Sequence, residues 1–326
     1  MRILITGGAG FIGSHLAERR VGRDEVVVLD NFNDFLYDPA RKRRNVAPLL
    51  VQPGFTLVEG DIRDEALLER VFARGAFDQV VHIAALGGVR PSIADPGLYV
   101  DVNVRGTLNI LEAMRRHGVP KLVFASSSSV YGINPKVPWS EEGAVLRPIS
   151  PYAATKVAGE LFAHTFHHLH GLDVVCLRFF TVYGPRQRPD MAISSFTRLL
   201  AARQPVPLYG DGSTERDYTF IDDIVQGVEA ALGRCFGFEV IYLGNAVTVR
   251  LSRLVELVAE ALGVEPRVNR LPLQPGDVPI TCADTARARR LLGYNPQTPI
   301  EEGVARYVDW FRTERSLLGD SAAPVS

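Results

Sequence analysis

The sequence has little cysteine, no excess of either charge and no long apolar run. Cys176, Cys235 and Cys282 are odd in number and lack the Cys-x-x-Cys spacing, so neither a disulfide framework nor a zinc site is indicated. Lysine and arginine together number 36 against 37 aspartate and glutamate residues. This balance excludes a global charge suited to nucleic acid or an anionic membrane. Any anionic ligand is therefore expected to bind at a local site.

A recognisable targeting segment is also missing. The apolar residues 3–5 are soon followed by glycines, and the run is too short for a signal peptide or a membrane-spanning helix. We therefore expect a cytoplasmic protein whose partners include neither a membrane nor a nucleic acid. The basic residues 41–44 stand alone between prolines, and we interpret them as a solvated loop or helix face.

The histidines show no metal-binding pattern. His164, His167, His168 and His170 occupy one stretch, but they lack a carboxylate partner and the His-Glu-x-x-His spacing. We interpret them as a solvated or subunit-contact face, and no metal is predicted.

The chain instead alternates short apolar runs with longer segments of helical periodicity. Near-continuous apolar strands separated by helices are typical of a parallel sheet covered on both faces. We therefore predict an α/β fold with a doubly wound parallel (Rossmann) sheet. The predicted strands are 3–6, 26–29, 56–58, 80–83, 122–125 and 174–177, and the predicted helices are 12–20, 65–73, 100–116 and 152–168, with Gly118 and Gly171 as stops.

The texture changes after residue 178, where prolines and glycines interrupt the pattern. A smaller α/β domain that binds the substrate is predicted to begin there and to be discontinuous, because the stretch 218–232 and the run 240–243 return to helix-plus-strand texture. The predicted division gives residues 1–178 and 217–245 to the large domain and 179–216 and 246–318 to the smaller one. The small, polar tail 319–326 is expected to be disordered.

A glycine-rich segment, TGGAGFIG at residues 6–13, directly follows the first predicted strand and opens the first predicted helix. In this context glycines let the backbone turn sharply toward a pyrophosphate, and the helix N-terminus offers unpaired N–H groups to the anion. We therefore assign a dinucleotide to Gly7, Gly10, Phe11, Ile12 and Gly13.

Polar or small residues follow the other predicted strands at the same edge of the sheet. Asp30 ends the second strand, where its carboxylate can accept hydrogen bonds from the adenosine ribose and would repel a 2′-phosphate. This position favours NAD over NADP. The further residues assigned to the cofactor are Asn31 and Asn33 beside Asp30, Asp61 and Ile62 toward the adenine, and Ala84 and Ala85 toward the nicotinamide.

A candidate catalytic group follows. Tyr152 and Lys156 are spaced i, i+4, so one helix face presents both side chains. A nearby ammonium, aided by the positive nicotinamide, lowers the pKa of a phenol and makes it a general base for a sugar hydroxyl. Ser127, in a serine run that ends the fifth predicted strand, is expected to hold the reacting oxygen.

Together the glycine motif, the serine-rich segment SSSSVYG and the segment YAATK resemble the extended short-chain dehydrogenase/reductase family, the nucleotide-sugar epimerases and dehydratases. The resemblance covers nearly the whole chain. It implies tightly held NAD, the triad Ser127, Tyr152 and Lys156, and a homodimer joined through the helices 100–116 and 152–168. Asn103 matches a family position beneath the active site and is assigned with the cofactor residues.

Two further segments resemble those that bind UDP in this family. The segment 216–223 resembles the one whose arginine, here Arg216, meets the nucleotide diphosphate, and the segment 274–277, ending at Asp277, resembles the loop that closes on the uridine ribose. The resemblance therefore implies a UDP-sugar. Arg90, Ser128 and Ser129 are also assigned to the substrate.

The expected reaction depends on the serine loop and on residues 178–191. Ser128 and Ser129 stand where the family's dehydratases carry an Asp-Glu pair and its decarboxylases a glutamate, which disfavours both reactions. Residues 178–191 are similar to those of the UDP-glucuronate 4-epimerases, with Thr181 and Arg188 assigned to the sugar carboxylate. We therefore predict NAD-dependent C4 epimerisation between UDP-glucuronate and UDP-galacturonate. UDP-glucuronate decarboxylation, UDP-glucose 4-epimerisation and a catalytically silent NAD-binding regulator remain as alternatives.

Overall fold

The computed structural model describes residues 1–134, 137–141, 147–272 and 278–318. The strands are β1 Arg2–Thr6, β2 Glu25–Asp30, β3 Phe55–Glu59, β4 Gln79–His82, β5 Lys121–Ser127, β6 Asp173–Phe179, β7 Thr181–Tyr183, β8 Val206–Tyr209, β9 Glu215–Phe220, β10 Phe238–Leu243, β11 Thr248–Arg250 and β12 Val268–Leu271. The helices are α1 Phe11–Arg20, α2 Pro39–Val46, α3 Glu65–Gly75, α4 Val89–Ala94, α5 Pro96–Tyr99, α6 Gly106–Arg116, α7 Pro151–His170, α8 Ala192–Ala201, α9 Ile221–Gly233, α10 Leu251–Leu262, α11 Ala286–Leu292 and α12 Ile300–Leu318.

Seven strands form one parallel sheet in the order β10-β6-β5-β4-β1-β2-β3. The sheet contains every strand predicted from the apolar runs, and it confirms the doubly wound α/β fold. From β1 the strand order runs outward to β2 on one side and to β4 on the other, so a crevice opens where β1 and β4 end. This crevice is where ligands bind in sheets of this kind.

Separate apolar clusters cover the two faces of the sheet. Because side chains alternate along a strand, Ile3 and Ile5 of β1 pack with Leu16 of α1 on one face, whereas Leu4 packs with Ile110 of α6 on the other. The sheet is thus buried on both sides, and polar ligands can reach it only at its ends. Within the described ranges, every helix is too short or too polar to span a bilayer.

Two predicted helices differ in detail from those observed. The predicted helix 100–116 begins with a π-helical turn, Val100–Arg105, that continues from α5 and leads into α6. The segment predicted as helical from residue 218 instead begins as the end of β9, because Tyr218 pairs with Thr181 of β7 in a small sheet, β11-β9-β7. The helix α9 starts only at Ile221. The predicted domain boundary at 217 therefore falls inside a strand, and the division into domains stays a prediction.

Candidate active site

The ends of β1, β2, β4 and β5 open into one cavity of about 440 Å³. Its lining combines residues from the glycine loop, the strand ends, α7 and the segment after β6. The sequence-assigned residues that line it are Gly7, Gly10, Phe11, Ile12, Asp30, Asn31, Asn33, Asp61, Ile62, Ala84, Ala85, Ser127, Ser128, Ser129, Tyr152, Lys156, Thr181 and Arg188.

The glycine loop holds the start of α1 close to the sheet. Gly7 has a positive φ of 71°, and a β-carbon there would lie 2.7 Å from the backbone nitrogen of Ala84. No side chain caps the first turn of α1, whose Phe11 and Ile12 line the cavity. Backbone N–H groups are therefore available there for an anion. Gly13 does not line the cavity; a β-carbon on it would meet the Gly7 carbonyl oxygen at 2.4 Å, so its place is beneath the loop.

Asp30 is buried at the end of β2 and is held by backbone groups. One oxygen accepts from the Ala9 N–H at 3.1 Å and the other from the Phe32 N–H at 2.9 Å. Each oxygen keeps a second lone pair for a ribose hydroxyl. Nearby, Asn31 donates to Asp61 at 2.8 Å, and hydrogen bonds from Arg63 lower the pKa of Asp61 to about 2. Fixed carboxylates and a backbone anion site fit the ribose and pyrophosphate of NAD.

Tyr152 is half-buried, and the Ser127 hydroxyl hydrogen-bonds its phenol. Burial raises the pKa of Tyr152, whereas the Ser127 hydrogen bond and the Arg188 charge lower it. Burial is the largest of these effects. The Ser127 hydrogen bond and the Arg188 charge therefore shift the phenol toward the range of a general base, and NAD would add a positive charge beside it when bound.

Lys156 lies beside Tyr152 and also bonds the backbone of β5. Its Nζ donates to the Ala125 carbonyl oxygen at 2.7 Å and lies 6.0 Å from the centre of the Tyr152 ring. Burial lowers the pKa of Lys156 to about 8, and Glu160 opposes that shift. The i, i+4 spacing places both side chains on one helix face, and the ammonium lies over the Tyr152 ring while it bonds the end of β5.

Arg188 and Thr181 reach the cavity from the segment after β6. Arg188 makes a two-pronged ion pair with Asp190, through Nε at 3.0 Å and Nη2 at 2.9 Å. A β-carbon at Gly87 would lie 2.3 Å from its Nη1, so the guanidinium packs against the loop after β4. The sequence did not suggest the Asp190 pairing, which fixes the direction of the guanidinium, with Nη1 beside Gly87 in the cavity wall.

Other assigned residues lie elsewhere. Asn103 does not line the cavity; it bonds Leu86 through both backbone groups and donates to Thr155 at 3.0 Å, beneath the site. Arg90 stacks over Tyr209, and Arg216 donates to the Glu215 carbonyl oxygen at 2.8 Å, both outside the cavity lining. Asp277 lies outside the described residues. Cofactor contact for Asn103 and substrate contact for the other three stay predictions.

Tyr37 and Lys42 line the cavity, although sequence reasoning did not assign them. The Lys42 Nζ donates to the Asn33 carbonyl oxygen at 2.8 Å, and burial lowers its pKa. Within the basic run 41–44, Arg43 and Arg44 are exposed, so the solvated interpretation holds for them and is wrong for Lys42. The basic composition of the run obscured this difference.

In the described part of the chain, no group of three or more His, Cys, Asp or Glu residues could hold a metal ion.

A doubly wound sheet that brings a glycine loop, a carboxylate at the end of the second strand and a Ser-Tyr-Lys group to one cavity is the arrangement of an NAD-dependent enzyme acting on a hydroxyl-bearing carbon. The family model described as GDP-mannose 4,6 dehydratase matches residues 4–307. The chain belongs to this family, within the extended short-chain dehydrogenases/reductases, and its cofactor is NAD.

Similar proteins include both epimerases and dehydratases. UDP-glucuronate 4-epimerase 4 of Arabidopsis thaliana is 43% identical over 98% of this chain and 77% of its own length. UDP-glucuronic acid 4-epimerase of Bacillus cereus, solved with UDP-glucuronic acid and NAD, is 34% identical over 96% of this chain and 100% of its own, with a TM-score of 0.90. DesIV, a dTDP-glucose 4,6-dehydratase of Streptomyces venezuelae, is 35% identical over 97% and 98%, also with a TM-score of 0.90.

Proposed function

We propose that this protein is a UDP-glucuronate 4-epimerase, which interconverts UDP-glucuronate and UDP-galacturonate. The observation that carries the proposal is that the Tyr152 phenol and the Arg188 guanidinium line one cavity, where the Arg188 charge lowers the pKa of Tyr152. The phenol suits the oxidation of a sugar hydroxyl, and the guanidinium suits a sugar that also bears a carboxylate. The Arabidopsis and Bacillus relatives, both named for this activity, support it.

The serine loop distinguishes this reaction from dehydration. Ser128 and Ser129 line the cavity where an elimination across C5 and C6 would need an acid and a base. A serine hydroxyl is a poor proton donor or acceptor at neutral pH, whereas it can hydrogen-bond a sugar oxygen. We therefore assign Ser128 and Ser129 to substrate binding and not to proton transfer, even though a dehydratase is equally similar in structure.

In the proposed mechanism Tyr152 takes the proton of the C4 hydroxyl while Ser127 holds that oxygen. NAD, which the glycine loop and Asp30 would hold, would supply the hydride acceptor for the oxidation at C4 and the hydride donor for the return step. Lys156 fixes the end of β5, and its charge favours the phenolate. Tyr152 then gives the proton back to the oxygen of the 4-keto sugar after the sugar has turned its other face. NAD is unchanged over the cycle.

Arg188 protects the intermediate in this proposal. Oxidation at C4 makes the sugar a β-keto acid, which loses carbon dioxide most readily when its carboxylate bond stands perpendicular to the ketone plane. A guanidinium fixed by Asp190 can hold the carboxylate away from that orientation. Thr181 adds a hydroxyl donor at the same end of the cavity.

The test is incubation of the purified protein with UDP-glucuronate, without added NAD, followed by identification of the product. UDP-galacturonate is the expected product. A UDP-pentose would indicate decarboxylation, and turnover of UDP-glucose alone would indicate a hexose epimerase. No turnover of either sugar, even with added NAD, would favour an NAD-binding regulator.

A further inference from the structure

A buried ion pair lies directly behind Lys156. Glu160 is one helical turn further along α7, and its carboxylate accepts from Arg178 of β6 through Nε at 2.8 Å and Nη2 at 2.5 Å. Glu160 is 5% exposed and Arg178 4%, and neither lines the cavity. Burying two charges costs about as much free energy as their attraction returns. Stability alone is therefore a weak explanation for this pair.

The pair is connected to the end of β5. The Ser126 hydroxyl donates to the Glu160 carboxylate, while the Lys156 ammonium donates to the carbonyl oxygen of Ala125. Two successive residues of β5 are thus bonded to side chains one turn apart on α7. The next residue of β5 is Ser127, and one turn before Lys156 on α7 stands Tyr152. These bonds therefore set how the serine faces the phenol.

Glu160 also supplies charge. Three groups face Lys156: His82 from β4, Phe124 from β5 and Tyr152 on its own helix. The ring centre of Phe124 lies 5.2 Å from the Lys156 Nζ. Arg178 of β6 lies behind Glu160. Burial keeps His82 neutral by lowering its pKa to about 3.

None of these facing groups carries a negative charge. Among the ion pairs of the described residues none includes Lys156, and of the charged groups only Glu160 acts on its pKa, raising it against burial.

We propose that Glu160 is a positioning residue for the reaction: held by Arg178, its carboxylate keeps the Lys156 ammonium and the Ser127-bearing end of β5 in place beside Tyr152. The inference rests on the proposed function, since that function gives Lys156 and Tyr152 their roles.

The test compares four variants as NAD-bound protein. Glu160→Gln removes the charge and keeps the shape, and the double variant Glu160→Gln with Arg178→Gln also removes the unpaired guanidinium that could unfold the single variant. Ser126→Ala breaks the bond between Glu160 and β5 and keeps both charges of the ion pair. Glu239→Gln is the matched control, because it removes the carboxylate of another ion pair, with Arg287 at 2.5 Å, that does not touch Lys156.

The first readout is the titration of Lys156 by NMR with lysine-selective labelling. The lysines of the chain are Lys42, Lys121, Lys136 and Lys156, so the spectrum is simple, and a Lys156→Met sample assigns the signal. We expect the pKa of Lys156 to fall by roughly 0.5–1 unit in both Glu160 variants and to stay unchanged in Glu239→Gln.

The second readout is the pH profile of kcat with UDP-glucuronate. In both Glu160 variants the alkaline limb should move to lower pH with the Lys156 titration, and kcat should fall about tenfold with little change in KM. Ser126→Ala should lower kcat without moving that limb.

A folded Glu160 variant with an unchanged Lys156 titration would overturn the inference. If neither Glu160 variant folds, the kcat of Ser126→Ala tests the inference instead. A wild-type kcat in Ser126→Ala would also overturn the inference. If the wild-type protein forms no UDP-galacturonate, the proposed function fails, whereas the Lys156 titration still decides the role of Glu160.

Discussion

The two ends of the cavity are built differently. At the cofactor end, glycines bring backbone groups together so closely that a β-carbon at Gly7 or Gly13 would clash with main-chain atoms. At the substrate end, side chains determine the shape, because Arg188 is directed by its ion pair with Asp190. We therefore expect binding of the dinucleotide to be spread over many backbone contacts, and sugar specificity to depend on a few side chains. Single substitutions should affect the two ends in different ways.

The largest effect is expected between the two ends, at Tyr152. Tyr152→Phe removes only the proton that is transferred, so kcat with UDP-glucuronate should fall on the order of 1,000-fold or more. Folding and UDP-sugar binding should be retained. The measurement is steady-state kinetics together with calorimetric binding.

Tyr99→Phe is the matched control for Tyr152→Phe. Its ring centre lies 6.4 Å from that of Tyr152, but its hydroxyl donates to the Gly87 carbonyl oxygen at 2.7 Å. It should lose much less activity. Near wild-type turnover in Tyr152→Phe would show that another group is the base.

Arg188→Ala tests the substrate end. Loss of a charge-assisted contact to the sugar carboxylate should cost about 2–4 kcal/mol, or some tens- to a thousandfold in kcat/KM for UDP-glucuronate. The loss on UDP-glucose should be far smaller, and some UDP-pentose should form. The measurement is kcat/KM for both sugars, with product analysis.

Arg186→Ala is the control on the same segment, because Arg186 pairs with Glu18 at 2.8 Å and does not line the cavity. It should affect both sugars equally and weakly. An equal loss on both sugars in Arg188→Ala would remove the main physical support for the hexuronate substrate.

The same contrast explains what the sequence could predict. The strands around the cofactor end were predicted because near-continuous apolar runs and a glycine motif are local patterns. Tertiary contacts have no such local pattern and could not be predicted. Three examples are the pairing of Arg188 with Asp190, the place of Lys42 in the cavity wall and the pair of Glu160 with Arg178. The helical stretch 100–116 was predicted, but its π-helical turn was not, because the same apolar spacing suits both.

Asp30→Ala tests the cofactor end. We expect NAD to bind about tenfold more weakly, because the ribose hydroxyls lose an acceptor, and discrimination against NADP to relax because the repelling charge is gone. The measurement is calorimetric titration of NAD-free protein with both cofactors. Asp34→Ala is the control, since Asp34 is exposed and does not line the cavity. Equal affinity of the wild-type protein for NADP would contradict the assignment.

The smallest effect concerns His82, which lies beneath the cofactor end. Its ring bonds the Thr6 hydroxyl at 2.6 Å and the Thr107 hydroxyl at 3.0 Å. The Thr107 hydroxyl donates its own proton to the Asn103 carbonyl oxygen, so it must accept a hydrogen bond from His82. We therefore assign the ring proton of His82 to Nε2, which donates to Thr107. The ring nitrogen Nδ1 then accepts from the Thr6 hydroxyl. A protonated ring would donate at both nitrogens, so its bond to Thr6, the residue before Gly7, would have to reverse direction.

Protonation of His82 should therefore destabilise the folded protein, because it places a charge in a buried site beneath the glycine loop. Burial lowers the pKa of His82 from 6.5 to about 3, so the unfolded chain binds the proton more readily and the free energy of unfolding falls as pH drops below 6.5. Each unit of pH between these values costs at most roughly 1.4 kcal/mol at this group. His82→Gln should be less stable at pH 7.5 but should lose stability less steeply between pH 6.5 and 4. Denaturant unfolding at several pH values measures this, with the exposed His168→Gln as control. If the free energy of unfolding fell equally steeply with pH in His82→Gln and in the wild-type protein, protonation of His82 would not be what destabilises the protein at low pH.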